Sequence, residues 1–285
     1  MGKIIDQHFL ELLKTLTLRI RLSLKGGNLG SKRSKAIGSS VEFSDYREYS
    51  PGDDYRRIDW NAYARFEKVF IKLFMQEQES PVTVFLDKSY SMKDHNKRET
   101  GIKVASTFSY VALSDYDSVS LILFEDMMKE SIVNLRGTAS FNRVIALLEE
   151  SEFSGKSNLY DTVYKWQPKL KKGITVIISD LMFNHDIEKV IRLLAFNKQR
   201  IILCHILSEE ELNPHFDENV RIIDSESNDY MDINTGIDAI NLYKKTLSEY
   251  VKNIKSNCIK YGVDYMLVNT NDPIEGFIKH IQSIN

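Results

Sequence analysis

The stretch Val82-Thr83-Val84-Phe85-Leu86-Asp87-Lys88-Ser89-Tyr90-Ser91 constrains this chain more than any other. An apolar, β-branched run ends abruptly in Asp-x-Ser-x-Ser. Such a run reads as a strand buried on both faces, as in a parallel sheet. The polar triplet then falls just past the strand's C-terminal end, where ligands bind in open α/β sheets. A carboxylate and two hydroxyls at alternate positions of a tight loop form a sparse oxygen site for a hard divalent cation. Asp and Ser are also good helix N-caps, so spacing alone leaves a cation loop and a capping loop both open.

The rest of the chain supplies a frame for that strand. Apolar spacing predicts a helix over 6–24, with Phe9, Leu10, Leu13, Leu16 and Ile20 on one face. Strands over 69–74, 82–87, 118–124, 174–178, 201–207 and 263–268 alternate with helices over 99–115, 141–148, 159–166, 187–196 and 237–261. Residues 127–135 read as a weaker extended segment at an antiparallel edge, and 220–223 as a short extended piece in a loop. Asp272-Pro273 opens a terminal helix, with the acid as cap and the proline in the first turn. This alternation predicts an α/β fold, a doubly wound and mainly parallel sheet over 81–285. Residues 1–80 are expected to form an N-terminal helix plus a small β-rich module. In that module Glu42, Asp45, Arg47, Glu48, Asp53, Asp54, Arg56, Arg57, Asp59 and Arg65 interleave with Tyr46, Tyr49, Tyr55, Trp60 and Tyr63. Local Arg–carboxylate pairs that hold the module together are one reading. A recognition surface is the other, since Arg, Tyr and Trp anchor interfaces.

Charge and cysteine usage narrow the function classes. A net charge of -2 over 285 residues gives no global field for nucleic acid. Arg19, Arg21, Lys25, Lys32, Arg33 and Lys35 are the basic residues that a nucleic-acid reading has to use. Cys204 and Cys258 lack metal-ligand spacing and sit in apolar patterns, as reduced core thiols do. Lys14, Arg19 and Arg21 interrupt the N-terminal apolar residues, so no signal peptide is expected, and no apolar run approaches a membrane span. A cytoplasmic protein is the expectation.

A metal site needs ligands from more than one loop. Asp180 follows the apolar strand 174–178 as Asp87 follows its own, so both carboxylates emerge at one edge of the sheet. Ser157, in Gly155-Lys156-Ser157-Asn158, precedes a helix and faces that edge. The candidate set is Asp87, Ser89, Ser91, Ser157 and Asp180. Its few anionic groups leave a dication net positive with an open or water-filled position. Mg2+ is the natural occupant, with Mn2+ and Ca2+ as further candidates, and an acidic side chain of a protein partner completes the shell.

Enzyme readings fall away one by one, and no enzyme is expected. Gly155-Lys156-Ser157 mimics the end of a phosphate-binding loop, but the required glycine is Glu150, and Glu149 and Glu152 add repulsion. A phosphoaspartyl enzyme using Asp87 has Ser89 where a second acid belongs. No Gly-x-Ser-x-Gly is present, and His185 is the one histidine near the proposed edge in sequence.

These motifs resemble those of known families. Asp87-Lys88-Ser89-Tyr90-Ser91, with Asp180 as the later acid, resembles the metal-ion-dependent adhesion motif of von Willebrand factor A-type domains. Gly38-Ser39-Ser40-Val41-Glu42-Phe43, Arg47-Glu48-Tyr49-Ser50-Pro51-Gly52-Asp53-Asp54, Arg56-Arg57-Ile58-Asp59-Trp60 and Ala64-Arg65 resemble the hallmark of the domain-of-unknown-function family fifty-eight. That resemblance runs over nearly the whole chain, to Asp264-Tyr265 and Asp272-Pro273. It implies a von Willebrand A-like fold, and, because members are often encoded beside MoxR-type AAA+ ATPases, a role as adaptor for such an ATPase in complex assembly or maturation. Asp87 and Asp180 would orient and neutralise the metal, while Ser89, Ser91 and Ser157 contact it. A-type domains usually carry a Thr in the second metal loop. Ser157 keeps the oxygen but loses the methyl that restricts the rotamer. Thr138 is the competing residue. A nucleic-acid-binding A-type protein and a metal-free scaffold are the alternatives to a metal-dependent protein-binding module.

Overall fold

The computed structural model describes residues 3–26, 43–74, 81–115, 117–182, 187–214, 219–223, 230–234 and 237–283. The basic stretch 32–35, the block 38–42 and His185 lie outside them. Residues 1–18 and 80–285 form one compact unit and residues 19–79 another. Helix α1 (Gln7–Gly26) starts in the larger unit. Asp6 accepts from the Phe9 amide at 2.7 Å, and Phe9, Leu13 and Leu16 are buried at helical spacing together with Ile5. The first half of α1 therefore groups with the large unit rather than with residues 19–79.

The smaller unit is an antiparallel pair, β1 (Phe43–Glu48) and β2 (Phe70–Phe74), with helix α2 (Trp60–Phe66) between them in sequence. Charge interleaving hides that helix, yet Asp59 directly before Trp60 is an N-cap. Its Oδ1 accepts from the amides of Asn61 at 2.9 Å and Ala62 at 3.2 Å. Its Oδ2 accepts from the Tyr46 hydroxyl at 2.8 Å and pairs with Lys72 at 3.2 Å. The Tyr46 bond, then the amides and Lys72, outweigh burial and hold the Asp59 carboxyl down at about 2. Local pairs also occur as expected, Arg47 with Asp53 at 2.6 Å among them.

In the larger unit β3 (Val82–Asp87) is buried at every position, which is why its sequence up to Asp87 is apolar apart from the β-branched Thr83. The chain then makes α3 (Lys97–Ser114), β4 (Val119–Phe124), β5 (Met128–Leu135), α4 (Phe141–Glu150) and α5 (Leu159–Trp166). It continues through β6 (Ile174–Ser179), α6 (Ile187–Phe196), β7 (Arg200–Leu207) and the four-residue α7 (Glu209–Leu212). An antiparallel pair, β8 (Asn219–Ile223) and β9 (Tyr230–Asn234), precedes α8 (Ile237–Lys260), β10 (Asp264–Asn269) and α9 (Ile274–Ser283).

Among the described residues, six strands form one sheet in the order β10-β7-β6-β3-β4-β5. Every pair is parallel except β4 with β5, the antiparallel edge. Helices cover both faces. On one, Phe85, Ile122, Ile177 and Leu203 pack with Leu159 and Val163 of α5, Val190 and Leu194 of α6, and Cys258 of α8. On the other, α3 comes so close at Gly101 that a Cβ there would lie 3.2 Å from Leu86 and 3.7 Å from Ile206. Phe108 of α3 meets Phe277 of α9 edge to face, and Tyr110 meets Phe141 of α4 likewise. Both cysteines are free and buried, as their apolar surroundings predict. Among the described residues no helix is long and apolar enough to cross a membrane.

This topology positions the site. From β3 the chain moves outward to β4 and β5, then returns to β6 on the other side of β3 and moves outward to β7 and β10. The order reverses between β3 and β6, and a crevice opens beyond the carboxyl ends of strands at such a switch point. Asp87 and Ser179-Asp180 end those two strands. Their alignment rests on close packing at the opposite end, where Ile174 N donates to Pro81 O and a Cβ on Gly173 would collide with that same carbonyl oxygen. We expect Gly173→Ala to lower stability by about 1–3 kcal/mol through overpacking, measured by urea unfolding.

Candidate metal centre

Asp87 is fully buried, so both of its oxygens need partners. Oδ1 accepts from the amide of Ser89 at 2.9 Å, two residues on, which folds the 88–91 loop back onto the strand end. Oδ2 accepts from the hydroxyls of Ser157 and Ser179, each at 2.7 Å. Ser179 in turn accepts from the Leu181 amide at 2.9 Å. The Ser89 and Ser91 hydroxyls lie 3.1 Å apart. One carboxylate thus ties together the loop after β3, the loop before α5 and the loop after β6.

Those loops are also bonded to one another. Tyr90 N donates to Gly155 O at 2.9 Å and Ser154 N to Lys88 O at 2.8 Å. Beneath them, buried Lys88 pairs with Glu125 at 3.3 Å and Glu130 at 2.9 Å, and Glu125 accepts from Ser154 at 3.2 Å. Gly155 holds φ at +73°, and a Cβ there would lie 2.7 Å from Glu125 Oε2. Only glycine meets both demands without strain.

Asp180 is buried beside this cluster but is held by different partners. Oδ1 accepts from Met182 N at 3.1 Å and Oδ2 from Lys97 Nζ at 2.9 Å. Lys97, the first residue of α3, also donates to Glu211 Oε1 at 2.7 Å. The Asp180 carbonyl sits 2.9 Å from His205 Nε2. A carbonyl only accepts, so Nε2 carries the proton and Nδ1 accepts from the Tyr265 hydroxyl at 2.9 Å. Tyr250 of α8 donates to the carbonyl of Leu181.

The structure therefore brings Asp87, Ser89, Ser91 and Ser157 into one hydrogen-bonded set and places Asp180 against an ammonium. Thr138 lies in the turn before α4, and no hydrogen bond among the described residues joins it to the set. Four members of the neighbourhood escape sequence reasoning. Ser179 reads as the last residue of a strand, and His205 is hidden inside an apolar run. Lys97 has no signal at all. Glu211 had one, because Ser208-x-x-Glu211 is a capping box: the Ser208 hydroxyl accepts from Glu211 N at 3.1 Å and Glu211 Oε2 accepts from Ser208 N at 2.7 Å.

Burial, then the nearby charge of Asp180, pushes the Asp87 carboxyl up to about 6, against the lowering pull of Ser157, Ser89 and Ser179. Burial alone would lower the Lys97 pKa, but Asp180 and Glu211 overcome it and raise it. Burial pulls His205 down to about 4. Among the described residues no three His, Cys, Asp or Glu side chains cluster as metal ligands. The donors on offer are one carboxylate and the hydroxyls of Ser89, Ser91 and Ser157. Hard, mostly neutral oxygens fit a cation that keeps waters, such as Mg2+. Cys204 and Cys258 do not compete as ligands, since burial pushes both thiols up, Cys258 to about 12.

The sequence profile described as Protein of unknown function DUF58 matches residues 45–249. The chain belongs to the DUF58 family. All five candidate residues and Lys97, His205 and Glu211 lie within the DUF58 match. Uncharacterised proteins of Mycobacterium bovis and of two Mycobacterium tuberculosis strains are each 23% identical over 189 residues, 64% of this chain. The chain spans 60% of the length of these curated relatives. Among solved structures, a conserved hypothetical protein, BatB, from Bacteroides thetaiotaomicron aligns with 72% of this chain and 96% of its own, at 16% identity and a TM-score of 0.46. An aerotolerance-related membrane protein from Bacteroides fragilis aligns with 72% and 97%, at 15% identity and a TM-score of 0.43.

The two perturbed acids and bases act in opposite senses on stability. A raised Asp87 pKa means that the folded chain keeps a proton the unfolded chain releases between about pH 4 and 6, so this contribution is lost as pH rises. A lowered His205 pKa means that the unfolded chain takes up a proton first as pH falls from about 6.5 to 4, so this contribution is lost as pH falls. The two oppose each other between pH 4 and 6. Removing one exposes the other: in metal-free buffer, the stability of Asp87→Asn relative to wild type should rise by about 3 kcal/mol from pH 4 to 6, read by chemical denaturation at each pH.

Proposed function

We propose that this chain is a metal-dependent protein-binding module with a von Willebrand A-like fold, and that its partner is a MoxR-type AAA+ ATPase acting in complex assembly or maturation. One observation carries the reading. Asp87 ends the central strand at the sheet's switch point and is hydrogen-bonded to Ser157, with the Ser89–Ser91 hydroxyl pair beside it. In this reading Asp87, Ser89, Ser91 and Ser157 hold Mg2+, and Asp180 supplies charge near it. The cation's chemistry is to accept a carboxylate oxygen from the partner at its remaining position. The chain's residues orient that position and bury its base.

Binding rather than turnover suits the surroundings. His205 uses both ring nitrogens in hydrogen bonds, so it offers no free base. Two buried, free thiols suit a reducing compartment, in line with a cytoplasmic module.

The test is calorimetric titration of Mg2+ into the chelator-treated chain, wild type and Asp87→Ala, followed by partner binding with and without chelator. Wild type should bind Mg2+ and Asp87→Ala should not, while its thermal melt in metal-free buffer stays cooperative. Chelation and Asp87→Ala should each weaken the ATPase complex at least about tenfold, as expected when a charge-assisted contact is lost. Partner binding indifferent to both would overturn the reading.

A further inference from the structure

Lys97 breaks two local rules at once. It is the first residue of α3, where the helix dipole favours negative charge, and Asn96 before it makes no side-chain cap. It is also buried, at 3% exposure, where an ammonium is costly unless paired. What holds it are two carboxylates from elements far along the chain: Asp180 Oδ2 at 2.9 Å and Glu211 Oε1 at 2.7 Å. Residues that violate local preference and are compensated from a distance mark places where function sets the sequence.

The geometry bears on the candidate centre. Both oxygens of Asp180 are engaged, one by an amide and one by Lys97, so its negative charge is already shared with an ammonium. A dication held by Asp87 and the serine hydroxyls has to draw on that same charge. Glu211 is fixed independently of Asp180, because its other oxygen closes the capping box on α7. The ammonium therefore keeps one anionic partner whatever Asp180 does.

We infer that Lys97 is an internal competitor for the divalent cation: bonded between Asp180 and Glu211, it holds down the cation affinity of the Asp87–Ser89–Ser91–Ser157 set, and Glu211 sets by how much. This rests on the metal reading above. It makes the free chain a weak cation binder, so that cation and partner carboxylate bind together rather than in succession. It also places control of the site on α7, an element that shares no residue with the donor set.

Calorimetric Mg2+ titration of the full chain tests this, with fold checked by near-ultraviolet circular dichroism. Lys97→Met should bind at least about tenfold more tightly than wild type, and Glu211→Gln at least about tenfold more weakly, since Lys97 then leans wholly on Asp180. The double variant Lys97→Met/Glu211→Gln carries the decisive comparison. It keeps the local net charge of the wild type and leaves one fewer unpaired carboxylate than Lys97→Met, so it serves where the single variant fails to fold. If Lys97 acts on Asp180, the double variant binds more tightly than wild type. Affinity equal to wild type reduces the effect to net charge and overturns the inference. Wild type that binds while Lys97→Met binds no more tightly also overturns it, leaving the metal reading standing. Folded wild type, Lys97→Met and double variant that all fail to bind Mg2+ overturn the metal reading, and this inference with it.

Discussion

A carboxylate buried at the end of the central strand is the interaction on which the rest depends. An ionised carboxylate in an apolar interior is costly, and the cost falls only as its lone pairs find donors. Asp87 finds them in three separate segments, the Ser89 amide and the hydroxyls of Ser157 and Ser179. Each donor is fixed by its own context: Ser89 by the loop that turns back on β3, Ser157 by the start of α5, Ser179 by the ladder of β6. The loops at this edge are therefore ordered by one polar requirement, on a sheet that is otherwise held by apolar contact. The Lys88–Glu125 pair and the amide-to-carbonyl bonds between the 88–91 and 154–158 segments reinforce that order from below.

The second acid of the neighbourhood is managed in a contrasting way. Asp87 is satisfied by neutral donors, whereas Asp180 is satisfied by a cation. The same two-strand edge thus holds one carboxylate whose proton affinity is raised by burial and then by the charge of Asp180, while Asp180 itself has an ammonium in contact. His205 sits behind Asp180 as a neutral group, its tautomer fixed by a carbonyl on one side and a tyrosine hydroxyl on the other. Burial keeps it neutral through the physiological range, so it braces the 180–182 segment without adding charge.

How much of this was legible in the amino-acid sequence follows from what each residue must satisfy. Val82 to Leu86 announced a central strand because every position is buried, and a fully buried strand favours apolar and β-branched side chains, Thr83 being the one polar residue. The antiparallel edge at β5 was legible as a weaker extended segment because an edge strand is largely open to solvent, and only Leu135 of Met128–Leu135 is buried. Helix α2 was hidden by the charge-rich composition around it, although Asp59 before Trp60 carries an N-cap signal. Helix α7 was missed despite its Ser208-x-x-Glu211 spacing, because four residues give no periodicity to read. Within the site, Asp87, Ser89 and Ser91 share one loop, so their grouping is local and visible. Ser157 and Asp180 required a topological argument. Lys97 was invisible in principle: its position obeys no local rule, and its partners are known only once β6 and β7 lie side by side.

The sequence separations in this cluster carry a consequence for how the chain is made. Asp87 reaches Ser157 and Ser179 across 70 and 92 residues, and Lys97 reaches Asp180 and Glu211 across 83 and 114. Contacts this distant close large loops before they return any stabilisation, so they form late. A chain emerging from the ribosome displays the Asp87 loop well before it holds Ser179, and the Lys97 ammonium waits longer still for Glu211. The site is in that sense a receipt for completed folding. A partner that needs all of it touches only finished molecules and passes over nascent or truncated ones.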